Sequence, residues 1–480
     1  MIVRDHRVWP LWVRAAVAAV AMAGAVSAAR AADPPPQAPT PGVALPAEAP
    51  PPAPADVKPA DPATRPQAPA AGQEQVPDDR QRMEAARREE TFEVARQLAK
   101  DFPTDSNAIG LMGTVCNAYN QTAEAIVWWQ KCVEVDPRRA DAYFGLATIA
   151  QKKSEYRKAE EFWRKAQEIE PNLPGMYGRY AETLLNLGKP EEAMAAVMKE
   201  IRFTPDDMTN YLRLGQAHLQ LKEYDKAVAA YEKARGLSPG HSKPYYGLAA
   251  AWARLGQADK AKEYSEQFRK IRAEEDKVAV AGRNVADDVA WVTKNLVQVR
   301  MDAGELNFTY GRPEKAEEHW RRAAALDPKH TACRRALIDL YVRAGRARQA
   351  LTFSEQLRAI DPRNAAYHLG AAVLLVQLER FDAAEEAARK AIDLEPNDPK
   401  GYLFLVRLLV FRKQNPAEAL ALARKLVEMK PAAEHYGLLG DACRLSGDLA
   451  GARAALERAM QLDPGNAQIR AAYAQLKERE

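Results

Sequence analysis

The residues best able to do chemistry in this chain are four cysteines, Cys116, Cys132, Cys333 and Cys443, and seven histidines, His6, His218, His241, His319, His330, His368 and His435. Thiolate and imidazole could hold a metal ion or act as nucleophile and base. Their spacing supports neither role. The chain has no H-E-x-x-H, no C-x-x-C and no C-x-x-C-H, the arrangements that converge such groups on one ion or on haem. Gly188-Lys189 has the ending of a phosphate loop, but Thr183 stands where the loop needs its first glycine. There is no G-x-S-x-G nucleophile elbow. Asn120-Gln-Thr122 and Asn307-Phe-Thr309 match a glycosylation acceptor, which we read as chance. No constellation for catalysis, metal or cofactor emerges, and the expectation is a protein that is not an enzyme.

A stronger pattern lies in the prolines. Pro103, Pro137, Pro171, Pro205, Pro239, Pro328, Pro362, Pro396, Pro431 and Pro464 recur at intervals near 34 residues, with one break of 89 between Pro239 and Pro328. With each proline as position 32 of a unit, position 20 is alanine throughout, from Ala125 and Ala159 to Ala419 and Ala452. Position 24 is often bulky (Trp129, Trp163, Tyr231, Trp320) and position 27 small (Cys132, Ala166, Ala234, Ala323). Apolar residues at 4, 7, 8 and 11 stripe a first helix, and those at 20, 24 and 27 stripe a second. Glycine at position 15, as in Gly188, Gly256 and Gly345, permits the turn between them. Proline at 32 ends the hairpin. Small residues at 8 and 20 let the two backbones approach, and the bulky residue at 24 fills the space beside them. A repeated unit of this length denotes a stack of hairpins.

This frame resembles the tetratricopeptide repeat (TPR) family, over ten units from Ser106 to Pro464. A lone helix, Glu84–Phe102, precedes the units, and a polar capping helix, Ala467–Glu480, follows them. The fold class is then all-α: a right-handed superhelical solenoid of stacked helix-turn-helix hairpins. The resemblance implies that positions 2, 5, 6, 9, 12 and 13 of each first helix face a concave groove that contacts partners. In the N-terminal arm these sites include Phe144, Arg179, Arg213, Gln216, Tyr246 and Arg254, suited to an extended peptide or chain terminus with an acidic group. In the C-terminal arm they include Leu403, Phe404, Arg407 and Phe411, within a run from Tyr402 to Phe411 that is apolar on nearly every face. Such a helix is either buried in the array or covered by a partner. The Lys–Asn–Asn–Lys–Arg clamp of some family members is not matched, since Gly110, Thr114 and Gly145 occupy the first corresponding sites. In the hairpin frame Cys116 and Cys132 lie on the order of 10 Å apart along the axis, beyond disulfide reach. All four thiols read as buried replacements for small apolar residues.

The 89-residue break holds two units and a surplus. Ala258–Arg283 and Asp287–Thr309 are expected as an elongated hairpin carrying Trp291, Leu296, Val297 and Met301, with a role as hinge, self-association contact or partner platform through residues 274–310. At the other end, Arg4, Arg7 and Arg14 precede the apolar Ala15–Ala29 run, followed by small-residue triplets. This has the form of a secretory signal over residues 1–31. A Pro/Ala-rich linker, 32–78, follows. The expected organisation is thus signal 1–31, linker 32–78, N-terminal arm 79–273, insert 274–296 and C-terminal arm 297–480. Lys+Arg total 69 against Asp+Glu 65, interleaved, so no nucleic-acid footprint exists. The functional expectation is a periplasmic or secreted scaffold for other proteins or peptides. The alternative is an accessory subunit of a cell-envelope enzyme or polysaccharide-export machine.

Overall fold

The computed structural model describes residues 79–281 and 286–477, with side chains omitted for 278–288. The signal and linker expectations fall outside these residues. Every element among the described residues is helical. Helix α1 (Asp79–Asp101) is followed by hairpins α2–α3 (Ser106–Ala118, Thr122–Val135), α4–α5 (Ala140–Lys152, Tyr156–Ile169) and α6–α7 (Met176–Asn186, Pro190–Phe203). Next come α8–α9 (Met208–Gln220, Tyr224–Leu237), α10–α11 (Ser242–Arg254, Ala258–Ala281) and α12–α13 (Ala286–Thr309, Pro313–Leu326). The chain continues with α14–α15 (Thr331–Arg343, Ala347–Ile360), α16–α17 (Ala365–Gln377, Phe381–Leu394), α18–α19 (Pro399–Arg412, Pro416–Met429) and α20–α21 (Ala433–Leu445, Leu449–Leu462). It ends in α22 (Ala467–Lys477).

The repeat positions do in space what their sizes require. Alanine at position 20 is fully buried at Ala125, Ala159, Ala193, Ala227, Ala316, Ala350, Ala384, Ala419 and Ala452. The ring at position 24 is a wedge between two backbones. A Cβ placed on Gly113 or Gly145 would come within 2.5 Å of the Trp129 ring. Gly215 and Gly247 enclose Tyr231 in the same way, at 2.6 and 2.4 Å. Position 15 is left-handed at Gly188, Gly256, Gly311, Gly345 and Gly447, and also at Asn120, Ser154, Lys222 and Glu379. The turn therefore demands that conformation whether or not glycine supplies it.

At five of the ten junctions one further side chain ties the loop. The residue six places after the junction proline reaches back to that proline's carbonyl: Tyr177 hydroxyl to Pro171 (2.7 Å), Tyr211 to Pro205 (3.0 Å), Tyr245 to Pro239 (2.8 Å) and Tyr402 to Pro396 (3.1 Å). His368 Nε2 does the same to Pro362 at 2.9 Å. Each bond satisfies a carbonyl left over at a helix end. The signal was present in the sequence as Tyr or His at a fixed offset from proline.

The chain divides into two compact units, one reaching Leu306 and the other starting at Asn307. In the first, successive first helices touch one another (α2 with α4, α4 with α6, α6 with α8, α8 with α10), whereas neighbouring second helices do not approach comparably. The first helices thus form the tighter, inner layer and line the concave side. In the second unit α18 and α20 touch in the same manner.

The segment expected as an extended helical hairpin insert, 274–296, takes in the end of α11 and the start of α12, and α12 packs onto the start of the first unit. Val292, Val299, Ala303 and Leu306 share one apolar cluster with Phe92, Leu98, Ile109 and Met112. Trp291 meets Tyr119 edge-on at 5.3 Å, with the Arg88 guanidinium 5.2 Å from the same ring. Arg300 binds Glu90 at 2.8 Å with both side chains largely shielded, and Arg87 donates to Thr293 Oγ1. The first unit is closed on itself by residues about two hundred positions apart.

Candidate partner-binding groove

The inner layer of the first unit places the expected groove residues on four consecutive first helices. On α4, Phe144 is half-buried and sits edge-on against Trp163, 5.1 Å away at 88°. Trp163 is itself fully buried, with its indole N–H donating to Thr183 Oγ1 at 3.1 Å. On α6 and α8, Arg179 and Arg213 stand at position 6, which is glycine at Gly145 and Gly247 on the helices either side. Behind Trp129 and Tyr231 only glycine fits at this position. Arg213 follows the smaller Val197, and Arg179 follows Trp163, whose ring seats against Phe144 and Thr183.

Arg213 is held in place. It donates to Thr209 Oγ1 at 3.2 Å and pairs with Glu182 at 3.3 Å, and Gly178 lets its guanidinium lie 3.1 Å from where a Cβ would be. Arg179 has no ion-pair partner within reach among the described residues. Burial holds its pKa below the ordinary arginine value, opposed by Glu182, and the charge of Arg213 lowers it further. Gln216 and Arg254 are exposed, and Tyr246 is 46% exposed beside Phe268 at 5.6 Å. Arg179, Arg213, Gln216 and Tyr246 therefore share one face across three helices that touch in sequence.

The second unit treats its four expected residues unevenly. Phe404 is buried at 6% exposure, along with Leu405, Leu408 and Leu409, so most of the apolar run is core. Leu403 is half-buried. Arg407 is ion-paired with Glu434, and burial lowers its pKa. Phe411 alone stays well exposed, at 44%, with its ring 5.9 Å from Phe381.

The four cysteines are free and buried, and burial raises the thiols of Cys116, Cys132 and Cys333 to about 11, which keeps them protonated at neutral pH. His368 and His435 bond backbone carbonyls, and His218 pairs with Glu223 at 2.7 Å. Among the described residues no group of three or more His, Cys, Asp or Glu converges as metal ligands would. No described helix is long and apolar enough to cross a membrane.

Comparison with known proteins places this architecture. Patterns of the tetratricopeptide repeat match residues 218–277 and 308–374, residues 408–467, and residues 140–173 and 365–398. The chain carries tetratricopeptide repeats. Among curated proteins the chain is similar to the human protein O-mannosyl-transferase TMTC1, 31% identical over 182 residues, which are 36% of this chain and 20% of that protein. It is similar also to the cytochrome c-type biogenesis protein CycH of Rhizobium meliloti, 35% identical over 121 residues, 25% of this chain and 30% of that protein. The chain thus spans less than a third of the length of either relative. Similar solved structures include YrrB, described as a TPR protein with an unusual peptide-binding site (17% identical, 40% of this chain, 98% of that chain, TM-score 0.35). Another is MamA from Desulfovibrio magneticus (18% identical, 36% of this chain, 97% of that chain, TM-score 0.34).

Proposed function

We propose that this TPR protein is a non-catalytic scaffold outside the cytoplasm that binds partner proteins or peptides along the inner face of its first unit. The observation that carries the reading is the row Arg179, Arg213, Gln216 and Tyr246 on touching first helices. These residues combine directional cations, an amide group and a part-exposed aromatic on the inner face of the first unit. The tetratricopeptide repeats, matched over five stretches of the chain, support a role in protein interaction. The export of the chain rests on residues 1–31 and their basic, apolar and small-residue order.

A photo-crosslinking amino acid at Gln216, on the inner face, tests the binding role in cells when compared with one at Met198 on α7, 60% exposed on a second helix. Adducts with other proteins should form from position 216 and not from 198. Equal adducts from both positions, or none from 216, would sink the groove assignment. Fractionation of the same cells tests export, because recovery of the full-length chain in the cytoplasm would exclude it.

A further inference from the structure

The last hairpin before the closure helix departs from its neighbours at the position that normally fills the core. In the first unit, position 24 is Trp129, Trp163, Val197 and Tyr231 in turn, and then Ser265. Beneath Ser265 lies a cavity of about 320 Å³ lined by Tyr246, Ala249, Ala250, Ala253, Ala261 and Phe268, with Lys262 at its edge. Ala261, at the position where nine other alanines are completely buried, is part exposed here. A small residue at position 24 does not by itself open a cavity. Ser354 and Ala388 hold the same position in the second unit and are covered, at 3% and 0% exposure. The socket beside Ser265 is the space of a missing ring, left open to the inner face.

That socket lies on α10, next in the inner layer to α8 and α6, which carry Arg213 and Arg179. Of the two cations, Arg213 already has a carboxylate in Glu182 and Arg179 has none, so the pair retains capacity for one more anion. Adjacent packed helices are spaced about 10 Å apart. The step from the arginine pair to the socket is then one or two spacings, about 10–20 Å, which an extended chain at about 3.3 Å per residue covers in roughly three to six residues.

We propose that the first unit binds an extended peptide segment that carries a carboxylate on Arg179 and Arg213 and, three to six residues away, a large apolar side chain in the Ser265 socket. This rests on the groove reading above and adds the chemistry of the partner to it. The apolar side chain takes the place of the absent ring, in contact with the Tyr246–Phe268 pair and the alanine floor. The carboxylate is fixed by the guanidinium fork of Arg179, whose shielded charge makes an incoming anion more effective than at an exposed site.

The test is selection of a random dodecapeptide phage library on the full chain, followed by fluorescence anisotropy with the enriched peptides. Enriched sequences should carry Asp or Glu three to six residues from Leu, Ile, Met, Phe, Tyr or Trp. Converting that acid to its amide should weaken binding at least tenfold in the native protein and leave it nearly unchanged in Arg179→Gln. Ser265→Tyr restores the ring used by the neighbouring hairpins, so the protein should remain folded by circular dichroism and lose the preference for the apolar residue while keeping that for the acid. Enriched peptides that are neutral or basic, or an acid preference that survives Arg179→Gln, would overturn this inference and leave the groove reading standing. So would an apolar preference that survives Ser265→Tyr, or a dimer in sedimentation that Ser265→Tyr dissolves. Failure to enrich any peptide would count against the groove reading itself.

Discussion

The two units are built from one repeat and hold their interiors in different ways. In the first, aromatic wedges at position 24 separate neighbouring hairpins, and the glycines facing them are compulsory: Gly113 and Gly145 on Trp129, Gly215 and Gly247 on Tyr231. The second keeps a ring there in its first hairpin, Trp320, but position 24 then shrinks to Ser354 and Ala388, and the volume is supplied by the first helices instead, through Leu374, Leu375, Phe404, Leu405 and Leu408. The ends differ as well. The first unit fastens α12 back onto α1, while the second finishes in α22, which packs Ile469 and Leu476 inward and leaves most of its other residues exposed. A repeat therefore fixes the hairpin but not the source of its core, and position 24 records which solution each stretch adopted.

The comparison breaks most sharply at the closure. Val299→Asp would bury a carboxylate in the shared cluster of α1, α2 and α12, at a cost of upwards of about 4 kcal/mol. Hydrogen exchange on the full chain should show α1 losing protection while α14 to α21 keep theirs. Loss of protection in both units alike would mean that the closure is not local to the first. Next in size is Phe404→Ala in the second unit, where a buried ring is removed, at about 3–4 kcal/mol. Phe411→Ala, on the exposed end of the same helix, should cost under about 1 kcal/mol by urea denaturation. Equal losses at the two sites would contradict the division of that helix between core and surface.

Two glycines at the same repeat position give the finest discrimination. Gly247→Ala sets a methyl 2.4 Å from the Tyr231 ring, and the overpacking should outweigh the gain in helix propensity by about 1–2 kcal/mol. Gly370→Ala has nothing within 4 Å of its Cβ and should stabilise the second unit by about 0.5–1 kcal/mol. Thermal melts of the two variants should move in opposite directions. A shift of the same sign in both would undo the argument that the wedge, rather than the turn or the helix, dictates glycine at position 6.

Much of this was legible in the residues. The proline interval, the buried alanine at position 20 and the small residues near position 8 gave the hairpin register, because each expresses a local constraint of helix contact that recurs with the chain. The run from Tyr402 to Phe411 was correctly marked as apolar all round, yet sequence alone left it divided between core and partner. Only packing shows that Phe404 turns inward and Phe411 does not. The return of α12 had no local signature. Glu90 and Arg300, or Tyr119 and Trp291, are unremarkable as sequence, and their pairing depends on the curvature accumulated by ten intervening helices. The socket was hidden for the opposite reason: it is marked by the bulk that Ser265 lacks, which is visible only against the rings on either side.

The tie between α1 and α12 has a mechanical meaning. A chain tethered through its N-terminal segment and loaded at its C-terminus would carry tension across the Glu90–Arg300 and Tyr119–Trp291 contacts, and α3 to α11 would hang as an unloaded loop. Those helices include α6, α8 and α10, where Arg179, Arg213 and Tyr246 reside. Under pull, an open solenoid stretches like a spring and alters the spacing of its inner helices. Here the inner face would keep its pitch until the clasp shears, so a ligand held there would be released by a threshold force rather than by gradual extension.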